Sequence, residues 1–198
     1  MATSQARERL LAAAIEQAMR GGIADLSLRE LAAAIGTSHR MLLYHFGSRE
    51  GLLTAVACAV EESQRAEVSE LITATAADSR RLWEHFSDPR LWPAERLFFE
   101  LYGHALLGRP GTEGFLDNAI EPWVVEIASA LTREAGLDAE TARIEARLAI
   151  AVSRGLLLDL LATGDRRGVT EVFERYLRHA EASYARDANQ PTQPKPDT

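Results

Sequence analysis

Residues 26–50 read LSLRELAAAIGTSHRMLLYHFGSRE. The stretch predicts a helix, a tight turn, a second helix and the first residues of a third. Ser27 is placed to cap the first helix, and Glu30, three positions on, to reach back to the cap's own N–H. Leu26 before the cap and Leu31 at the fourth helical position can form a hydrophobic staple that sets the chain's angle of approach. Leu28, Leu31, Ala32 and Ile35 recur at i, i+3, i+4 and i+7, so one face is apolar. Gly36 ends this helix, and Thr37 or Ser38 caps the next. Leu42 and Phe46, four apart, point inward; His39, Arg40, Leu43 and Tyr44 are left on other faces. A glycine turn between two helices, the second with a polar, cationic start, is the layout of a helix-turn-helix that reads DNA.

The residues also carry a resemblance. The run G-T-S-H-R-M-L-L-Y-H-F-G-S-R-E-G-L-L, residues 36–53, resembles the DNA-binding signature of the TetR (tetracycline-repressor-like) family of transcriptional regulators. Two positions depart from that signature. Thr37 stands where Val is usual, and Leu43 stands at the first aromatic position. A Leu there keeps an apolar contact to a thymine methyl and loses a tyrosine's hydroxyl. The resemblance implies that Tyr44 and His45 form a phosphate-contacting pair and that Arg49 is a basic phosphate ligand.

The chain has 198 residues and a net charge of −7, with 46% hydrophobic residues, ample for a packed core. The charge excludes a general nucleic-acid coat, but its distribution leaves room for local DNA contact. Residues 1–50 hold six arginines and five acids, whereas the other 148 hold 16 basic and 24 acidic residues. DNA contact is therefore expected in the N-terminal part, with affinity supplied by paired copies and neutral phosphate contacts besides counterion release. One cysteine, Cys58, excludes an internal disulfide and a cysteine-based metal cluster, and fits a cytoplasmic location. The start, MATSQARERLLAAA, shows no signal-peptide pattern. The longest apolar region, 148–162, contains Arg154 and Asp159 and is too short to span a bilayer.

Along the chain every element reads as helix. A first helix over residues 6–20 places Leu10, Leu11, Ala14, Ile15, Ala18 and Met19 on one stripe, ended by Gly21-Gly22. Ser48 caps a long helix to Ala76, about 40 Å at 1.5 Å per residue. Asp78 or Ser79 starts a shorter helix that Asp88-Pro89 breaks. Pro93 suits the first turn of the next, which runs to Leu107. After the loop 108–111, a helix from Glu113 to Ala135 is kinked or split by Pro122. Asp138 and Gly164 bracket a helix to Thr163, and a last helix covers Gly168 to Tyr184. Residues 187–198 are polar and proline-rich, which predicts a disordered tail. The fold class is all-α. The expected domains are a three-helix DNA-binding unit, 1–48, joined through the long helix to a ligand-binding and dimerisation unit, 49–186.

Leu148, Ile150, Val152, Leu156, Leu157, Leu158, Leu160 and Leu161 go nearly all round their helix, so it needs cover on two sides. Ser153 and Gly155 allow another helix close. With Val172, Phe173, Tyr176, Leu177 and Ala180 on the last helix, the pattern suggests a homodimer closed by four helices, two from each copy; purely intrachain packing is the less favoured alternative.

Base edges are expected at the first turn of the reading helix, which nominates Ser38, His39, Arg40 and Met41. Arg40 suits guanine O6 and N7, or a phosphate; Met41 suits a thymine methyl, or pads the turn. Ser27 and Arg29 at a helix start suit backbone phosphates, though Ser27 has a capping role available. His45 also has an alternative as a packed side chain beside Phe46. Eight of 13 aromatics fall between positions 83 and 123. Trp83, Phe86, Trp92, Phe99, Tyr102 and Trp123 are candidate lining for a small-molecule pocket, with Glu100, His104, Asp117, Asn118 and Asp159 as polar anchors. Aromatics at helical spacing are more often core; the family resemblance is what favours a pocket.

Catalysis finds no motif: there is no H-E-x-x-H, G-x-S-x-G or Gly-rich phosphate loop, and the pairs His85/Asp88 and Glu100/His104 stand alone. No enzyme activity, cofactor or metal is expected. The reading is a homodimeric regulator that binds a palindromic operator in double-stranded DNA. It acts as a repressor released by a small-molecule effector. Competing classes are a helical binder or enzyme that keeps the motif only as packing, and an architectural DNA protein without ligand.

Overall fold

The computed structural model describes residues 2–21, 23, 26–73 and 75–187. Ten α-helices run through them: α1 Ala2–Gly21, α2 Leu28–Ala34, α3 His39–Phe46, α4 Arg49–Val68, α5 Ala76–Phe86, α6 Trp92–Leu106, α7 Phe115–Ala119, α8 Glu121–Ala135, α9 Ala139–Thr163 and α10 Arg166–Asp187. No strand occurs among the described residues. No helix there is long and apolar enough to cross a membrane.

The chain divides into two compact units. The first comprises residues 1–69 and 86–122; the second comprises 70–85 and 123–198. In the first unit α1 packs on α4 and α6, α2 on α3, α3 on α4, and α7 on α4 and α6. Ala14, Ala18, Leu31, Leu42, Leu52, Leu53, Val56, Leu97, Leu101 and Phe115 fill one core. Each buried Leu or Val contributes about 1.5–3 kcal/mol relative to exposure. The second unit is built from α5, α8, α9 and α10. Arg80 of α5 clasps Glu174 of α10 with two hydrogen bonds, Nε to Oε1 at 2.7 Å and Nη2 to Oε2 at 3.0 Å. Trp83 stacks on Phe173 at 4.8 Å and donates its indole N–H to Thr170 Oγ1 at 2.9 Å. Tyr176 and Tyr184 are half-buried on α10; burial above all pushes the Tyr184 phenol up to about 12.

The helix ends show which local signals govern. The capping box forms: Ser27 Oγ accepts from Glu30 N at 3.3 Å, and Ser27 N donates to Glu30 Oε2 at 2.8 Å. Ser27→Ala is expected to cost about 1 kcal/mol, read as a lower denaturant midpoint. The Ser27 hydroxyl and N–H hold the Glu30 carboxyl below its ordinary value of 4.5. That support is present above 4.5 and is lost as pH falls through the lower folded value.

Several boundaries differ from expectation: α1 starts at Ala2, four residues before residue 6, α7 starts at Phe115, two after Glu113, and three others have a visible local cause. α4 ends at Val68 and passes through a 3-10 turn, Ser69–Leu71, instead of running on to Ala76. Its 20 residues span about 30 Å, not 40. Hydroxyls compete with the helix there: Ser69 Oγ donates to Ala66 O, and Thr73 Oγ1 accepts from Thr75 N. The next helix starts two residues before Asp78, because Thr75 Oγ1 accepts from Asp78 N and caps it. α10 starts two residues before Gly168, with Asp165 Oδ1 accepting from Gly168 N at 2.9 Å. Pro122 does split its segment: α7 and α8 are separate, with Pro122 in the first turn of α8, where a missing N–H costs nothing. The predicted tail lies, from residue 188 on, outside the described residues, as do Gly22 and the Asn118 side chain.

Candidate nucleic-acid interface

Helix α3 is held from below. Leu42 is fully buried, and Phe46 packs against the core with the Arg7 guanidinium of α1 5.1 Å from its ring centroid. Gly36, at φ +69, makes the turn from α2, and Ser38 Oγ accepts from Met41 N at 3.2 Å to cap α3. Gly47 closes α3, and Ser48 caps α4 by accepting from Gly51 N at 2.9 Å. Anchored at both ends and through Leu42, α3 has one orientation relative to α1 and α4.

Its other faces meet water. Ser38 and Arg40 are exposed, His39 is half-buried, Met41 is 40% exposed and Tyr44 70%. α3 contains no acidic residue, and its N-terminal amides add the positive end of a helix dipole. Arg29 is exposed on α2. Ser38, Arg40, Met41 and Tyr44 thus share the outward surface.

Three nominated residues are engaged elsewhere. Arg49 donates from Nε to the Leu26 carbonyl at 2.8 Å, with its Nη1 3.7 Å from Glu50 Oε1. That bond ties the first turn of α4 to the residue before the α2 cap. Arg49 therefore positions the motif, and the charge left for a phosphate is shared with Glu50. His45 packs edge-on to Tyr44 at 5.0 Å and lies beside Phe46 at 6.4 Å, and its Nε2 is buried without a hydrogen-bond partner. The packed reading fits His45 better than the phosphate reading. Ser27 is occupied by its capping box. Leu43, outside the nominated set, is 39% exposed beside Tyr44. Its i, i+3 spacing from Arg40 places it on the same face.

A second feature lies where the loop after α6 meets α4. Thr54 Oγ1 donates to the Gly111 carbonyl at 2.8 Å, 57 residues away. Gly111 has φ +88, and a Cβ there would sit 2.8 Å from Glu50 Cβ and 2.9 Å from Gly51 N. The loop thus rests on the first turn of α4, the turn that carries Arg49.

The candidate effector residues fall in both units. Phe86, Trp92, Phe99, Glu100, Tyr102, His104 and Asp117 belong to the first unit; Trp83, Trp123 and Asp159 belong to the second. Around buried Phe98 stand Phe99 at 5.3 Å, Phe115 at 5.5 Å and Tyr102 at 5.8 Å, an aromatic cluster on α6 and α7. Glu100 and His104 are half-buried on α6. Trp92 donates its indole N–H to Ser87 O at 3.3 Å, under the Arg96 guanidinium. Phe86 and Trp123 are half-buried, and Asp117 and Asp159 are exposed. Trp83, at 4% exposure, is core, since both its ring face and its N–H have partners within the second unit. No cluster of three or more His, Cys, Asp or Glu is placed to hold a metal among the described residues.

Comparison with known proteins agrees with this geometry. Residues 10–56 match the family described as bacterial regulatory proteins, tetR family. No curated protein matches the sequence. Among solved structures, a protein described as a transcriptional regulator from Rhodococcus sp. RHA1 is similar, at 21% identity. That match covers 94% of this chain and 97% of the other, with a TM-score of 0.66. A TetR-family transcriptional regulator from Mesorhizobium loti MAFF303099 shares 19% identity over 94% and 96%, with a TM-score of 0.63. FadR of Thermus thermophilus, a TetR family transcriptional repressor solved in complex with lauroyl-CoA, shares 19% over 97% and 100%, with a TM-score of 0.62. At these identities the structures share the fold. The helix-turn-helix segment, residues 10–56, is thus similar to the tetR family of bacterial regulatory proteins.

Proposed function

We propose that the protein is a homodimeric, sequence-specific DNA-binding regulator. It acts in the cytoplasm as a repressor, released from a palindromic operator by a small-molecule effector. The observation that carries this reading is the outward surface of α3: Arg40, Met41 and Tyr44 face water, no acid lies on the helix, and Leu42 anchors it. Arg40 pairs with a base or phosphate, Tyr44 with a phosphate, and Arg29 with the backbone.

Pairing of two copies is supported by α9. Ala142, Ala146, Ile150, Leu157 and Leu160 are buried within the subunit. Ile144, Leu148, Ala151, Gly155, Leu158 and Ala162 form an exposed stripe on another side. Nothing lies within 4 Å of a Cβ built on Gly155, so a second helix has room to approach. Val172 on α10 is exposed as well. A twofold dimer would set two copies of α3 about one DNA turn apart. The effector reading rests on residues 49–186. It is supported by the aromatic cluster around Phe98 with Glu100 and His104 on α6, and by the acyl-CoA bound in the FadR structure. Release requires that the effector bind the DNA-incompetent state more tightly than the competent one.

The test starts from a duplex recovered by the purified protein from a random-sequence library, followed by a salt titration. Affinity is expected to fall steeply with salt. Arg40→Ala is expected to cost about 1–3 kcal/mol and to relax preference at one position of each half-site. Equal loss on all sequences would make Arg40 a phosphate ligand, and failure to enrich any duplex would contradict the reading.

A further inference from the structure

Several arginines of this chain are neutralised by acids of their own fold: Arg81 pairs with Asp78, Arg90 with Asp88 and Arg167 with Glu171. Arg7, Arg29 and Arg40, one on each of α1, α2 and α3, form no ion pair among the described residues, and all three are exposed. Arg7 is restrained all the same. Its guanidinium lies over the ring of Phe46, the last residue of α3, 5.1 Å from the centroid, and Phe46 packs on the core. A cation held over a ring keeps its charge, and the N–H donors that point away from the ring stay available; a carboxylate partner would take both. Glu8, the next residue, is turned about 100° round α1 from it. Tyr44 meets His45 at 5.0 Å and His45 meets Phe46 at 6.4 Å. Arg7 thus ends a row of ring contacts that begins on the outward surface of α3.

We propose that Arg7 is a further DNA ligand, a phosphate contact made from α1 beside the groove that α3 enters. The inference rests on the DNA-reading function proposed above and extends the interface to a helix outside the helix-turn-helix. A helix lying in the major groove, about 12 Å wide, has a sugar–phosphate strand along each side. A cation carried on the neighbouring helix, roughly one helix diameter or about 10 Å away, meets such a strand and not a base edge. Arg7 therefore adds affinity and carries no sequence preference. Phe46 fixes where its charge stands, so less freedom is lost when a phosphate arrives.

The probe is the duplex selected from a random-sequence library, bound by the full-length protein across a salt series. A dimer carries two copies of Arg7. At about 0.9 per phosphate, Arg7→Ala is expected to make the slope of log affinity against log salt shallower by about two. Binding is then on the order of fiftyfold weaker than wild type near 0.1 M salt, and the gap closes toward 1 M. Single-base variants of the duplex are expected to lose the same factor. Arg7→Lys keeps the charge and is expected to keep the wild-type slope. Wild-type affinity and slope in Arg7→Ala overturn the inference and leave DNA reading intact. Weaker binding by Arg7→Ala at the wild-type slope, matched by Phe46→Leu, means that Arg7 only braces α3 and overturns the inference as well. Failure to select any duplex overturns both.

Discussion

Replacing Trp83 by alanine is expected to cost about 3–5 kcal/mol of folding stability. The side chain is 4% exposed, its ring stacks on Phe173 at 4.8 Å, and its N–H occupies the Thr170 hydroxyl. Alanine leaves a cavity between α5 and α10 and removes that hydrogen bond. Trp83→Phe keeps most of the stacked area and is expected to lose far less, about 1 kcal/mol for the hydrogen bond plus a smaller packing loss. Denaturant unfolding of the two variants separates packing from ligand capture. A Trp83→Ala protein as stable as wild type, changed only in its response to an effector, would return Trp83 to the pocket.

The second large effect is expected at Gly111. Its φ of +88 is costly for any residue with a Cβ, and that Cβ would meet Glu50 Cβ at 2.8 Å and Gly51 N at 2.9 Å. Backbone conformation alone costs Gly111→Ala about 1–2 kcal/mol, and the collision adds to it because part of the obstacle is main chain. The first turn of α4 must shift, and through Arg49 and Leu26 it carries the start of α2, while Ser48 and Gly47 join it to α3. Displacing α3 enough to lose one bidentate base contact lowers DNA affinity on the order of tenfold. Gly108→Ala is the control: φ is +63 but nothing lies within 4 Å of its Cβ. It is expected to be strained, by about 1–2 kcal/mol, yet to bind DNA normally. Thr54→Val, which removes the 2.8 Å bond to the Gly111 carbonyl, is expected to cost about 1 kcal/mol. Equal DNA binding by Gly111→Ala and Gly108→Ala would show that the loop does not position α3.

Such contacts mark the boundary of what the sequence makes readable. Caps are local chemistry, so Ser27 with Glu30, Ser48, Asp138 and Gly164 could be placed from the residues and their spacing, and the α3 cap narrowed to Thr37 or Ser38, of which the structure uses Ser38. Ser69 and Thr73 also act locally, but weak competition between hydroxyls and a good helical run leaves little mark in the pattern, and α4 ends at Val68, short of Ala76. Thr75 and Asp78 are both good caps three residues apart, and the earlier one won. Side-chain fates set by distant partners were not readable. Trp83 looks like pocket lining until Phe173, ninety residues on, covers it. Arg49 looks like a phosphate ligand until the Leu26 carbonyl takes its Nε. His45 shares α3 with Tyr44, and only the packing of α3 decides which ring turns inward.

The exposed surface of α3 as a DNA contact is most directly tested by oxidative footprinting of the full-length protein, alone and with its selected duplex. Met41 and Tyr44 are expected to be oxidised readily in the free protein and protected several-fold on the duplex, with exposed Leu106 and Leu107 unchanged. Protection that spares Met41 and Tyr44 and appears elsewhere would contradict the account.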